Sequence, residues 1–313
     1  MKVLLIGSDT PVGQALCNFF DLRGTEYTPL SKSECRWKSE RQAKKALRRS
    51  EAGLAVDARI QAAADGGIRI HEADIERCMW LARASQALRI PMLLLSCASI
   101  FEGKESRAYR EEDYPDGMST LASLIGAAET AVRDHCERHV ILRMGPVFSP
   151  VGSNSLTWML NRLHEHGSLS LSRKLKGCPV AAEDAARVVS GMVDQYGCGL
   201  EAWGIFHYCS ADVTSCYEFA EVLLAAAYQY TAFREDDPSI LTPLEADDDD
   251  ESSAEDWQSL EFRLDCSKIR DTFAIKQQPW RASVAGHAKQ YYALYSAREK
   301  TDGESLGQRD ASA

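Results

Sequence analysis

Several things are missing from this 313-residue sequence, and each absence removes a class of function. No apolar run approaches the ~20 residues that a membrane helix needs. The opening Met1–Gly7 stretch has too short an apolar segment for a signal-peptide core, so the expected location is cytoplasmic, with no membrane partner. Basic residues form no stripe of the kind a nucleic-acid binder uses, which excludes nucleic acid as a partner. None of the ten cysteines forms a Cys-x-x-Cys pair, which argues against zinc ribbons and thioredoxin-type redox motifs. Reduced thiols on apolar faces, such as Cys17 beside Phe19 and Phe20, are the expected state. A Gly-x-Ser-x-Gly elbow is absent too, so Ser96 has no hydrolase context. His135 and His139 are four residues apart but lack a third partner, and no metal site is expected. His164 and His166 end a helix, where an imidazolium suits the dipole.

What is present is 45% hydrophobic and 26% charged, an ordinary globular balance. The net charge of −10 is uneven, because residues 235–256 hold 11 acids and no base, leaving the remainder near +1. That stretch lacks the glycine turn of a calcium loop and reads as a solvated acidic loop. Over roughly the first 210 residues, apolar strands alternate with amphipathic helices. Strands are expected at 2–7, 27–30, 54–56, 92–96 and 140–144, and helices at 12–22, 40–49, 72–88 and 118–138. Short connections between such units imply a parallel, doubly wound α/β sheet. Beyond Met144, helices are expected at 155–166, 183–195 and 216–228, a strand at 205–208, and renewed order at 260–264 and 267–273. A polar tail at 298–313 reads as disordered.

One turn carries chemistry. Gly7-Ser8-Asp9-Thr10-Pro11-Val12-Gly13 joins the first strand to the first helix, where glycines let a backbone approach a pyrophosphate and a helix N-terminus favours the anion. The sequence around it resembles the dTDP-4-dehydrorhamnose reductases, which are extended short-chain dehydrogenases. Leu93–Gly103 is similar to their "STDYVFDG" segment, and Tyr109–Asp113 to "Y-x-E-x-D". Val140–Met144 with Pro146-Val147-Phe148 resembles "ILR…W-V-Y-G". Gly177-Cys178-Pro179 with Ala182–Ala186 resembles "G-S-P-T-Y-A-x-D-L-A". Gly204–His207, Tyr217–Ala220, Leu264–Lys268 and Pro279–Arg281 continue the likeness to about residue 290. The family includes the regulatory β subunit of methionine adenosyltransferase, which is a precedent for a member that reduces nothing.

The resemblance implies a Rossmann-type dinucleotide-binding domain from 1–150 plus about 182–212. It also implies a smaller α/β substrate-binding lobe from 151–181 plus 213–290. Gly7, Thr10, Pro11, Val12 and Gly13 would face the cofactor's phosphates, with Thr10 standing where the family has its middle glycine. Ser31 and Lys32, in place of an acid after the second strand, favour NADP(H) over NAD(H). Asp57 and Ala58 stand where the family has Asn-Ala, and the Asp57 charge counts against phosphates, so the cofactor is expected to bind weakly or not at all. Phe101, Pro146, Asn154 and Trp158 would line the substrate pocket, with Trp158 placed to stack a nucleobase. The family's catalytic Tyr and Lys positions fall on Leu121 and Ile125, and its Ser/Thr position on Cys97, flanked by Ser96 and Ser99. Neither Leu nor Ile can transfer a proton or hold a charge. The implied function is a catalytically silent nucleotide or sugar-nucleotide binding or regulatory protein, acting with a protein partner or as a homodimer. An active NADPH-dependent 4-keto sugar reductase with a rerouted proton donor, and a scaffold with a vestigial pocket, are the alternatives.

Overall fold

The computed structural model describes residues 1–66, 70–103, 107–174, 176–231, 237–244 and 263–310, with 298–310 through their backbone alone. Its first half is a strand–helix alternation. β1 (Val3–Ile6), α1 (Pro11–Arg23), β2 (Tyr27–Leu30), α2 (Glu40–Ser50), β3 (Leu54–Asp57) and α3 (Arg59–Asp65) come first. α4 (Glu72–Leu88), β4 (Met92–Cys97), α5 (Thr120–His135) and β5 (His139–Met144) complete it. β1, β3 and β4 are buried along their whole length, as expected of strands covered by helices on both faces.

The chain then crosses to a second layer and back. β6 (Val147–Phe148), α6 (Ser155–His166), β7 (Leu169–Leu171), β8 (Lys176–Gly177) and β9 (Val180–Ala181) lead to α7 (Ala182–Gly197) and β10 (Gly204–Tyr208). β11 (Thr214–Ser215), α8 (Cys216–Ala227), β12 (Leu241–Pro243), α9 (Ser267–Phe273) and α10 (Arg281–Asp310) follow.

Six parallel strands form one sheet in the order β10-β5-β4-β3-β1-β2, the Rossmann-type arrangement expected. Its order reverses at β1 and β3, so the crevice beyond their carboxyl ends is the topological switch point where such sheets take ligands. The second core gathers around Phe148, Phe219 and Trp280, with the Phe219 ring 5.2 Å from Phe148 and 5.0 Å from Trp280, between β6, α8 and the start of α10.

Three differences from the sequence reading have physical causes. Residues 264–275, assigned to the smaller lobe, instead join the main core: Ile269 and Phe273 of α9 are buried there, and Phe273 meets Phe206 of β10 edge-on at 5.1 Å. Within the stretch read as one acidic loop, Leu241-Thr242-Pro243 pairs with β7; it carries no charge, and its β-branched Thr242 suits a strand. The rest of that loop, at 235–236 and 245–256, lies outside the described residues. Where an irregular tail was expected, α10 runs on to Asp310, and 311–313 lie outside the described residues. Among the described residues, no helix is long and apolar enough to cross a membrane.

Candidate functional site

The Gly7–Gly13 turn sits at the switch point, and its geometry is enforced by packing. Gly7 has φ +80°, a conformation that costs a side-chain-bearing residue strain. A Cβ on Gly13 would lie 2.0 Å from the Gly7 carbonyl oxygen, so only glycine lets α1 approach β1 this closely.

The donors of this turn are turned inward. Gly7 N and Ser8 N both donate to the Leu30 carbonyl, and Thr10 N donates to the Gly7 carbonyl. Thr10 is fully buried and caps α1: its Oγ1 accepts from Gly13 N at 3.0 Å and donates to Gly7 O at 2.7 Å. Pro11 suits the first helical position precisely because it has no N–H to offer. Asp9 and Val12 are left as the turn's remaining backbone donors. Val12 is itself buried in the main core. A Cβ on Gly152 would come within 2.9 Å of Pro11 Cγ, so the loop after β6 rests on the first residue of α1.

The neighbouring segment is also engaged. Ser31 gives both its N–H and its hydroxyl to the Glu34 carboxylate, at 2.8 and 2.7 Å. These hydrogen bonds hold Glu34 below the usual carboxylate range. Lys32 N donates to Asp9 Oδ1 at 2.7 Å. The Ser31 hydroxyl and the Lys32 backbone N–H, two of the polar groups near where a 2′-phosphate was expected, therefore already bind carboxylates of the chain.

Asp57 behaves differently from the sequence reading. Its charge does not stand open against phosphates, because Arg59 grips it with Nε at 2.9 Å and Nη2 at 2.7 Å, and both side chains are buried. Burial opposes the Arg59 charge, but the Asp57 carboxylate outweighs it and keeps the guanidinium charged. Arg59 also lies beneath the Trp37 ring at 5.5 Å, and its Cγ is 3.2 Å from where a Gly7 Cβ would be. Ala58, buried between the pair, donates its N–H to Ile6 O. A short Asp-x-Arg at a strand end was the available signal for this pair, and reading Asp57 alone missed it.

Toward the middle of the sheet, β4, β5 and β10 bring Ser96, Arg143 and His207 into one register row. α5 lies over them. Its residues Leu121, Ile125 and Glu129, each four apart, share a face. Ile125 is fully buried, and Leu121 packs at the edge of the same core. Glu129 takes the Ser96 hydroxyl at 2.6 Å and Arg143 Nε and Nη2 at 3.0 and 2.7 Å. Arg143 and Glu129 are 1% and 2% exposed, so this is a buried, hydrogen-bonded ion pair. Ser96 is thus a member of that network. His207 Nδ1 bonds the Tyr109 carbonyl, and burial, reinforced by Arg143, pushes its imidazole down to about 3.

Cys97 is buried beyond Ser96, and burial together with the Asp65 charge pushes its thiol up to about 12, against hydrogen bonds from the partly exposed Ser99. Asp65, at the end of α3, was missed by sequence reasoning. Its carboxylate accepts from Val147 N at 2.7 Å and from Gln61, joining α3 to β6 across the mouth of the site. Burial nevertheless raises it to about 7. No sequence pattern links Asp65 to Val147, which is 82 residues away.

The residues expected to line a substrate pocket divide. Phe101 is buried, stacked on Tyr109 at 4.1 Å with Arg143 over its ring. Pro146 is partly exposed and accepts from Val180 N through its carbonyl. Asn154 is spent on capping α6, accepting from Leu156 N and Thr157 N and donating to Val151 O. Trp158 is partly exposed, with Arg162 5.7 Å from its ring. His135 and His139 face different partners, Arg83 and the Cys136 carbonyl, and form no pair.

This architecture has known counterparts. A dTDP-4-dehydrorhamnose reductase of Sinorhizobium fredii is 27% identical over 210 residues, covering 65% of this chain and 67% of that protein. The crystal structure of a dTDP-4-dehydrorhamnose reductase from Clostridium acetobutylicum superposes with a TM-score of 0.73 at 17% identity, covering 92% of this chain and 99% of that one. The Bacillus anthracis enzyme of the same name, solved in complex with NADP, also gives 0.73 at 15% identity, with 91% and 97% covered. The RmlD substrate binding domain family matches residues 1–293, and the chain belongs to that family.

Proposed function

We propose that this protein is a catalytically silent relative of the dTDP-4-dehydrorhamnose reductases that binds a nucleotide or sugar nucleotide in the cytoplasm without reducing it. The observation that carries the reading is the inner face of α5. By the sequence resemblance, Leu121 and Ile125 stand where the family's Tyr would protonate the carbonyl oxygen and its Lys would lower the phenol pKa. Both side chains pack into the main core, and neither can move a proton. The internally bonded donors at Gly7–Gly13 and the Ser31 hydroxyl held by Glu34 support weak or absent NADP(H) binding. Were the cofactor held, the backbone N–H groups of Asp9 and Val12 at the α1 N-terminus would face its phosphates, and it would supply hydride.

Titration calorimetry with a dTDP-sugar, NADPH and NADH tests this. Binding of the dTDP-sugar without dinucleotide, with NADPH at micromolar affinity or weaker, is the expected result. Nanomolar NADPH or NADH binding would contradict it.

A second reading, an active NADPH-dependent reductase with a rerouted proton donor, has one observation in its favour. Asp65, raised to about 7, lies within electrostatic reach of Cys97 at the cleft. A carboxyl near neutrality suits proton transfer. In that case turnover would fall by ~10²–10⁴ on Asp65→Asn.

A further inference from the structure

Three thiols meet at the carboxyl ends of β5 and β10. Cys178 lies between β8 and β9, Cys209 directly follows β10, and Cys266 directly precedes α9. Cys209 Sγ is 3.7 Å from Cys266 Sγ, and the Cys178 and Cys209 thiols are hydrogen-bonded to each other. Both Cys209 and Cys266 direct Sγ toward the Leu264 carbonyl, at 3.5 and 3.6 Å. Gln277 Nε2 donates to the Cys209 and Ser210 carbonyls at 3.0 Å each, fixing the strand end from which Cys209 projects. A Cβ on Gly145 would lie 2.2 Å from the Cys178 carbonyl oxygen and 3.2 Å from Cys209 Cβ, so the cluster is pressed tightly against the end of β5.

A single buried cysteine is a small apolar filler. Here Cys209 meets both Cys178 and Cys266, three thiols drawn from separate segments, and close thiols can react with one another. Among the described residues, no group of three or more His, Cys, Asp or Glu side chains has the geometry to hold a metal ion. The remaining chemistry of close thiols is with one another.

We infer that Cys209 and Cys266 form a reversible disulfide when the protein meets a hydroperoxide. Cys266, 6% exposed and the most open of the three, is the point of entry. Its thiolate attacks the outer peroxide oxygen and the O–O bond breaks, giving a sulfenic acid, while the hydroxide or alkoxide that leaves takes up a solvent proton as water or an alcohol. Cys209 sulfur then attacks the Cys266 sulfur. The S–S bond forms, and hydroxide leaves and takes up the Cys209 proton as water. Two electrons pass from the thiol pair to the peroxide, and a dithiol reductant returns them.

Against the Cys178 hydrogen bond, the Cys266 hydrogen bond and burial push the Cys209 thiol up, and its Sγ, 3.7 Å from Cys266 Sγ, is placed to attack once Cys266 is oxidised and the Cys209 proton is passed on. The bond would fasten the chain where it returns from the acidic stretch to the edge strand β10. It would close a span of 57 residues that includes α8 and β12. Long closed loops are where a cross-link constrains the unfolded chain most.

The full-length protein, reduced and then treated with hydrogen peroxide, tests this by thiol counting, intact mass and non-reducing peptide mapping. Cys198, the exposed cysteine, reports that the oxidant was effective. The expected result is loss of two further thiols, a linked Cys209–Cys266 peptide, reversal by dithiothreitol and a thermal midpoint several degrees higher. Cys266→Ser should abolish the link and Cys178→Ser should preserve it. Oxidation of Cys198 alone, or a linked peptide lacking Cys209 or Cys266, would overturn the inference from wild-type protein without recourse to any variant.

Discussion

Asp65 and His207 carry opposite linkages between protonation and stability. Burial raises the Asp65 carboxyl to about 7, so its contribution is complete below the ordinary carboxylate range and is lost as pH rises through about 7. Burial and Arg143 lower His207 to about 3, so its contribution is complete above the ordinary imidazole value of about 6.5 and is lost as pH falls toward about 3. Between about pH 4 and 6.5 the two slopes oppose each other, each at most ~1.4 kcal/mol per pH unit. Asp65→Asn removes one of them while keeping an acceptor for Val147 N. The variant should lose stability on acidification more steeply than wild type and exceed wild type above pH ~7. Urea unfolding across a pH series measures this, and parallel curves for the two proteins would show that Asp65 titrates normally. A second residue-level outcome concerns the buried ion pair. Glu129→Gln leaves the Arg143 charge unmatched in the core, at a cost of ~3 kcal/mol. Thermal unfolding should show a midpoint drop of roughly 5 °C.

Among the elements, those with strong end signals could be read from the sequence to the residue. α6 starts where Asn154 caps it and stops at Gly167 in a left-handed conformation, and α4 carries a capping box at His71. The α3 helix and the two-residue strands β6, β8, β9 and β11 could not be read, because so few residues show no period. The site divides along the same line. The Gly7–Gly13 turn is local and was visible, whereas the Arg59 clasp on Asp57 needed the pair to be read together, and the Asp65–Val147 contact exists only through the tertiary fold. Thr10→Gly with Pro11→Ala returns two backbone donors to the turn. It should tighten NADPH binding by about tenfold, the worth of one well-formed charge-assisted hydrogen bond. Calorimetry on the double variant checks it, and unchanged affinity would mean that these donors do not limit binding.

At the level of the whole molecule, two cores are threaded through one another. The chain leaves the sheet after β5, returns for α7 and β10, and returns again at 264–275 to cover the β10 edge. The first return was legible as a resumed strand–helix pattern. The second was not, because α9 is short and its apolar residues, Ile269 and Phe273, fit either core equally well by pattern. This threading joins the β5–β10 edge, the crevice and the second core into one chain path, yet the functional claim turns on a single helix face. The most direct test is wild-type protein with dTDP-4-dehydrorhamnose and NADPH or NADH, following nicotinamide absorbance at substrate saturation. The account predicts no turnover above the uncatalysed rate. Robust turnover, abolished by Asp65→Asn or by Cys97→Ala, would contradict it and assign the chain to the working reductases.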